Sequence, residues 1–234
     1  MISSKFLPLM FFLGIDTIYY TSINTEFLWT TKTVDYTLTA KNEESLSTLR
    51  DLVQKLLDQF EKDVGPVVLW NEVPWEKSSS LERYIIFELK PEPWPCGRGL
   101  PVPTGSPSTV VLSNSTNCDI YTNMAHLIEV FGMDSPHFRF DRDNFVQIHF
   151  ENILEIDHQI HNKCPGCFTS ENIIFKDYDY QSLLHYPKYS RYAINSSLPI
   201  ITERNGKSLI RESDDPKGRK LSDIDIKILQ YLFT

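Results

Sequence analysis

Apolar residues recur at helical spacing from Asn42 to Lys62, where Leu46, Leu49, Val53, Leu56 and Phe60 line one face. Asn42 supplies an N-cap, Glu43 and Glu44 put negative charge in the first turn, and Gly65-Pro66 stops the run. A helix over 42–62 is the prediction. Three continuous apolar segments follow, "PVVLW" (66–70), "RYIIFEL" (83–89) and "STVVLS" (108–113), and each predicts a buried strand. The Pro-rich stretch 91–107 between them predicts loop. The first half of the chain therefore reads as an α/β lobe.

A second helix is predicted over about 120–131, because Met124, Leu127, Ile128 and Phe131 fall at i, i+3, i+4 and i+7, and Gly132 is a natural left-handed exit. Ala125 and Glu129 share a neighbouring face. "FVQIHF" (145–150) alternates like a half-buried strand. The chain then becomes loop-rich, with an exposed charged loop expected over 203–220. Ser222 to Asp225 forms a capping box that opens a last helix carrying Ile224, Ile228 and Leu232. No internal repeat is present.

Composition narrows the partners more than the fold. With 234 residues and 41% hydrophobic content the chain can bury a full core, and a formal charge of -8 leaves no basic stripe for nucleic acid or anionic lipid. At the N-terminus, Lys5 precedes the apolar run "FLPLMFFLGI" (6–15), too short to span a bilayer and of the length of a signal-peptide core, although no clean A-x-A site follows. A buried strand is the other reading. Residues 1–22 are thus expected to be a leader, with no membrane span once it is removed. Sequons at Asn114 and Asn195 and an even cysteine count agree with a secreted, extracellular protein.

Four segments together carry a family resemblance. Gly132, "RFDRDNF" (139–145), "YDYQSLLHYPKY" (178–189) and "LSDIDIKILQYLF" (221–233) resemble the astacin family of secreted zinc metalloendopeptidases, whose motif is H-E-x-x-H-x-x-G-x-x-H-E-x-x-R-x-D-R-D. The likeness runs from near Trp29 to the end of the chain. It implies an α+β fold, a two-lobed metzincin/astacin-like domain over 26–234. The first lobe (about 26–132) would carry a mixed twisted sheet plus helices, and the loop-rich second (about 133–234) would end in a helix.

Counting from Gly132 and from Asp141 gives one gap-free register. In it the three zinc-ligand histidines fall on Ala125, Glu129 and Ser135, the general-base glutamate on His126, and the glutamate after the third histidine on Pro136. A catalytic zinc needs three protein ligands and an open fourth position, and alanine and serine do not replace imidazole. Loss of the base alone forgoes a factor of about 10² to 10⁴. The family's zinc is therefore not expected here. A shifted site drawing on His126, Glu129, Asp134 and His137 would move Met133 onto the glycine bend. The family's S-x-M-H-Y turn becomes Ser182 to Tyr186, with Leu184 for the methionine beneath the metal and the cleft tyrosine, Tyr186, kept.

The resemblance implies a Cys96–Cys118 disulfide and lacks the family's second bridge, since Gly65 stands at one end of it. The other cysteines lie in "HQIHNKCPGC", where His158, His161, Cys164 and Cys167 come at steps of three; a Cys164–Cys167 disulfide is the simpler reading, a metal knuckle the alternative. "FLGID" (12–16) has the elements of the family's F-x-G-D prosegment switch with Ile15 inserted. The functional expectation is a secreted pseudoprotease that binds an extended peptide or protein along a rim strand "STVVLS". The alternatives are an active metalloendopeptidase with a non-standard metal site and a purely structural interaction protein.

Overall fold

Val34, Tyr36 and Leu38 alternate along Thr33–Thr39 and become β1, a strand inside the sheet that the apolar-run reading passed over. The computed structural model describes residues 29, 31–89, 96, 98–100, 107–116, 118–163, 177–207, 209–212 and 218–233. Helix α1 spans Glu43–Val64, β2 Leu69–Glu72, α2 Trp75–Ser78, β3 Ile85–Leu89, β4 Arg98–Leu100 and β5 Ser108–Leu112. Helix α3 spans Ile120–Glu129, β6 Val146–Ile148, β7 Ile201–Glu203 and α4 Asp223–Leu232. The architecture is α+β.

The five-stranded sheet runs β2-β1-β3-β5-β4, parallel throughout except for β4, which pairs antiparallel to β5. This corrects the choice of rim strand. "STVVLS" is hydrogen-bonded on both sides, to β3 and to β4, so its main chain has no open edge to offer. The edge on that side is β4 (the other edge is β2), inside the stretch expected to be loop, because Arg98–Leu100 finds a partner in β5 that its own sequence does not announce.

The predicted caps form as the local chemistry dictates. Asn42 accepts from the Ser45 main-chain N–H at 2.9 Å, and Ser222 and Asp225 make the reciprocal bonds of a capping box. Gly65 (φ 96°) closes α1, and Gly132 (φ 86°) turns the chain after α3, conformations that L side chains rarely adopt. The stripe residues Leu49, Val53, Leu56 and Phe60 are buried against β-sheet residues and α3. Phe131 meets Phe60 at 6.1 Å and Phe233 at 4.9 Å, both edge to face.

The last helix joins the first core. Ile228, Leu229 and Phe233 sit with the sheet and α1, and Gln230 donates to the Val64 carbonyl at 2.8 Å. Leu183 and Leu184, from the turn before Tyr186, enter the same core. A second, smaller core gathers Val146, Ile153, Tyr178, Ile200, Ile201 and Ile210 around the antiparallel pair β6–β7. Ile210 is buried although it belongs to the stretch read as an exposed charged loop, because Glu203 accepts from the Leu209 and Ile210 main chain and folds that segment back. The Cys96–Cys118 disulfide is formed, tying the start of α3 to the segment before β4. Cys164, Cys167 and residues 1–28 lie outside the described residues. Among those described, no helix is long and apolar enough to cross a membrane.

Candidate functional site

The site lies where α3, the bend at Gly132 and the turn 182–186 meet. Helix α3 is capped by Asp119, whose carboxylate accepts from the Thr122 N–H at 2.7 Å, and its apolar stripe fixes which face looks outward. Ala125 and Glu129 are one turn apart on that helix. Ala125 is buried in the core. His126 Nδ1 lies 3.3 Å from Glu129 Oε2, and His126 Nε2 is buried without a hydrogen bond. Histidine and glutamate thus occupy each other.

Ser135 is sealed to the floor of the site. Its hydroxyl donates to the Leu184 carbonyl at 2.6 Å, and Leu184 packs into the main core. Asp134, just before it, accepts from the Ser135 N–H at 2.8 Å. Burial, partly offset by that bond, and the nearby Glu129 charge push the Asp134 carboxyl up to about 7.

Tyr186 is half-buried, stacked on Tyr192 with ring centroids 5.7 Å apart and in contact with His137 at 4.4 Å. Burial raises its hydroxyl above the usual phenol range, with Tyr192 and Glu129 adding to the shift. Its packing is that of an aromatic on the second core. Beneath it lie three histidines that the sequence separates by 24 residues each, His137, His161 and His185. The His137 ring is 5.9 Å from His161 and 5.8 Å from His185. Burial holds all three below their ordinary pKa, His185 at about 4.

The acidic and basic loop that follows the bend is a structural clamp. Arg139, 1% exposed, donates from Nε and Nη2 to both oxygens of Asp141 at 2.9 and 2.8 Å and from Nη1 to the Asp177 carbonyl at 3.1 Å. Arg142 Nη1 donates to the carbonyls of His137 and His161, and its Nε to Asp143 at 3.1 Å. These bonds hold three chain segments around the second core. They need no metal.

A second buried network joins the turn to α4. Asp225 accepts from the Ser182 hydroxyl at 2.8 Å and the Leu183 N–H at 2.7 Å, while the Ser222 hydroxyl donates to Asp179 at 2.5 Å. Burial and the neighbouring Asp179 push Asp225 up to about 7. Sequence reasoning found the capping box and missed the carboxyl pair, because Asp179 and Asp225 are distant along the chain.

The other candidates are directed inward. His158 Nε2 is within 3.1 Å of the Phe150 carbonyl and 3.2 Å of the Ile153 carbonyl, and His161 Nδ1 is 3.0 Å from the Asp157 carbonyl. Asn114 and Asn195 are both exposed.

The family model described as Astacin, a peptidase family, matches residues 22–234. The chain belongs to the astacin family. Its similar relatives include zinc metalloproteinase nas-28 of Caenorhabditis elegans, 30% identical over 97 residues that make up 41% of this chain and 19% of that one. Zinc metalloproteinase nas-7 of the same organism is 28% identical over 127 residues, 53% and 30% of the two chains. Mouse meprin A subunit alpha is 30% identical over 95 residues, 40% of this chain and 12% of the subunit. The matched parts therefore span under a third of these relatives.

Among solved structures, high choriolytic enzyme 1, a hatching enzyme zinc-protease from Oryzias latipes, superposes with a TM-score of 0.63 at 16% identity, covering 96% of this chain and 98% of that one. Myroilysin gives 0.56 at 12% identity, covering 90% and 97%. The astacin fold is thus shared over most of the chain. Zinc does not fit the three ligand positions: Ala125 has no donor atom, the Ser135 hydroxyl is engaged with Leu184, and Glu129 is paired with His126. Among the described residues, no three His, Cys, Asp or Glu side chains are grouped to hold a metal.

Proposed function

We propose that the chain is an exported astacin-family pseudoprotease that holds an extended peptide in its cleft without hydrolysing it. The observation that carries the reading is the bond from the Ser135 hydroxyl to the Leu184 carbonyl, beside an alanine and a paired glutamate. Where a peptidase of this frame would keep three imidazoles pointed at one ion, this chain keeps a packed floor and a single carboxylate. His126 in the general-base position has its Nδ1 committed to Glu129. Neither a ligand cage nor a positioned carboxylate base is left to activate water.

Peptide binding needs none of those groups. An antiparallel edge strand offers main-chain N–H and C=O groups to an extended chain, and β4 is that edge. Side-chain contacts from the Tyr186–Tyr192 stack would add apolar contact in the cleft. Residues 1–22 act in this reading as the leader that directs export, and 26–234 as the folded domain.

The test uses the full chain, dialysed against zinc, in two measurements. Elemental analysis is expected to give well under one zinc per chain, and a broad peptide library is expected to bind but remain uncut. Peptides N-methylated at alternate positions should lose binding. Zinc-dependent cleavage abolished by Glu129→Ala would establish the competing metalloendopeptidase with a non-standard site.

A further inference from the structure

Exposed aliphatic residues of the second lobe lie beside a sequon. Ile153 and Ala193 form an antiparallel bridge, flanked by bonds from the Leu154 N–H to the Tyr192 carbonyl (3.0 Å) and from the Ile194 N–H to the Asn152 carbonyl (2.8 Å). In such a pair side chains alternate between faces. Ile153 and the partly buried Ala193 enter the second core, so Leu154 and Ile194 project together from the opposite face, as diagonal neighbours about 7–8 Å apart. Both are exposed, Ile194 at 62%. Ile156, two residues further on, is 86% exposed, the most open large apolar residue of those described, and Leu198 is exposed as well. Leu154 and Ile194 share one face of the ladder, and Ile156 and Leu198 lie within four residues of them along the chain; joined into one patch, four such side chains would be a liability in water.

The turn that closes this patch is the sequon Asn195-Ser196-Ser197. The Leu198 N–H donates to the Asn195 carbonyl (2.9 Å), and Asn152 Nδ2 donates to the Pro199 carbonyl (2.9 Å), which fastens the turn to the ladder. Asn195 Oδ1 accepts from the Ser197 N–H at 2.9 Å. That bond holds the side-chain amide by its oxygen, not by the nitrogen that a glycan would take. Residues 194–198 are all exposed. The other sequon, at Asn114, follows β5 and has no exposed large apolar residue in its own segment.

We propose that Asn195 carries an N-linked glycan whose first sugars lie over Leu154, Ile156, Ile194 and Leu198 and keep this face from self-association. The modification rests on the export reading. The new bond joins Asn195 Nδ2 to C1 of the first sugar; the C1–O bond to a lipid-linked pyrophosphate donor breaks, lipid pyrophosphate leaves, and Nδ2 gives up one proton. The apolar faces of pyranose rings pack on aliphatic side chains while their hydroxyls stay in water, which suits a patch bordered by Ser196 and Ser197.

The experiment is to express the full chain in a eukaryotic secretory host and to map occupancy by mass spectrometry after peptide-N-glycosidase treatment in heavy-oxygen water. Label at Asn195 in most molecules is expected. Ser197→Ala, which removes the sequon and keeps Asn195 and its turn, should raise apolar-dye binding severalfold and shift the protein from monomer toward concentration-dependent association. Adding Ile156→Ser and Ile194→Ser to Ser197→Ala should restore monomer and low dye binding, which separates loss of cover from misfolding. Retention of the chain in the cytosol would overturn the export reading and this one with it; export with Asn195 bare would overturn this one alone. So would an occupied Asn195 whose removal leaves dye binding and association unchanged, or a glycosylated protein that forms a saturable dimer through the same four residues.

Discussion

Replacing Arg139 by methionine tests whether the loop that outlived the metal ligands is an architectural clamp. The guanidinium is buried, bonded to both oxygens of Asp141 and to the Asp177 carbonyl, and it lies 5.6 Å from the ring centroids of Phe145 and Tyr178. Breaking a buried ion pair by removing one partner costs about 3–5 kcal/mol. Asp141 retains some solvent contact, with its side chain 19% exposed, which favours the lower end, near about 3 kcal/mol. The two ring contacts add about 1 kcal/mol together, and methionine keeps most of the stem packing. The expected loss is about 4 kcal/mol, or a fall in Tm of about 8–16 °C for a chain of this size.

The assay is urea unfolding by circular dichroism and tryptophan fluorescence, run as a double-mutant cycle with Asp141→Asn. Asp141→Asn alone should cost at least as much, because it leaves the buried cation without its counter-charge. The double variant should cost less than the sum of the two. A loss under about 1 kcal/mol for Arg139→Met, or strictly additive single changes, would refute the clamp.

Three further outcomes follow from the same geometry. Asp225, pushed up to about 7 from 3.8 by burial and Asp179, holds a proton in the folded chain that the unfolded chain releases, so its contribution is full below the unfolded value and lost as pH rises through about 7. Asp225→Asn should flatten that fall and stabilise the protein on the alkaline side, as read by Tm against pH. His185 runs the other way: held down to about 4 by burial, it contributes above its ordinary 6.5 and the contribution is lost as pH falls through about 4. His137, depressed by burial with His185 and His161 beside it, adds to this acid limb, and His137→Phe should make the limb shallower in acid titrations followed by near-UV circular dichroism. Reduction of Cys96–Cys118 should lower unfolding stability by about 3 kcal/mol, and Cys96→Ser with Cys118→Ser should reproduce the loss without reductant.

Local chemistry made parts of this protein legible from the chain alone. The stripe and caps of α1, the stripe of α3, the Gly132 bend and the Ser222 capping box depend on residues within a turn or two, and each appears where the spacing places it. The same local counting puts alanine, glutamate and serine at three consecutive ligand positions of the family motif. Other features depend on what the chain meets from afar. β1 offers no continuous apolar run, since Val34, Tyr36 and Leu38 alternate with polar residues, and only its pairing with β2 and β3 places it inside the sheet; β4 is a three-residue edge that exists only by virtue of its partner.

The sequence by itself determined the family frame and which atoms are available at the ligand positions, because both follow from residue identity at fixed spacing. The tertiary structure alone decided what those residues do: Ser135 bonds to a carbonyl 49 residues away, and Glu129 pairs with His126. It also decided that β4 forms an edge, that three distant histidines come together in one buried cluster, and that Asp225 lies close enough to Asp179 to feel its charge. Desolvation and long-range hydrogen bonding set these outcomes, and neither acts until the chain is folded.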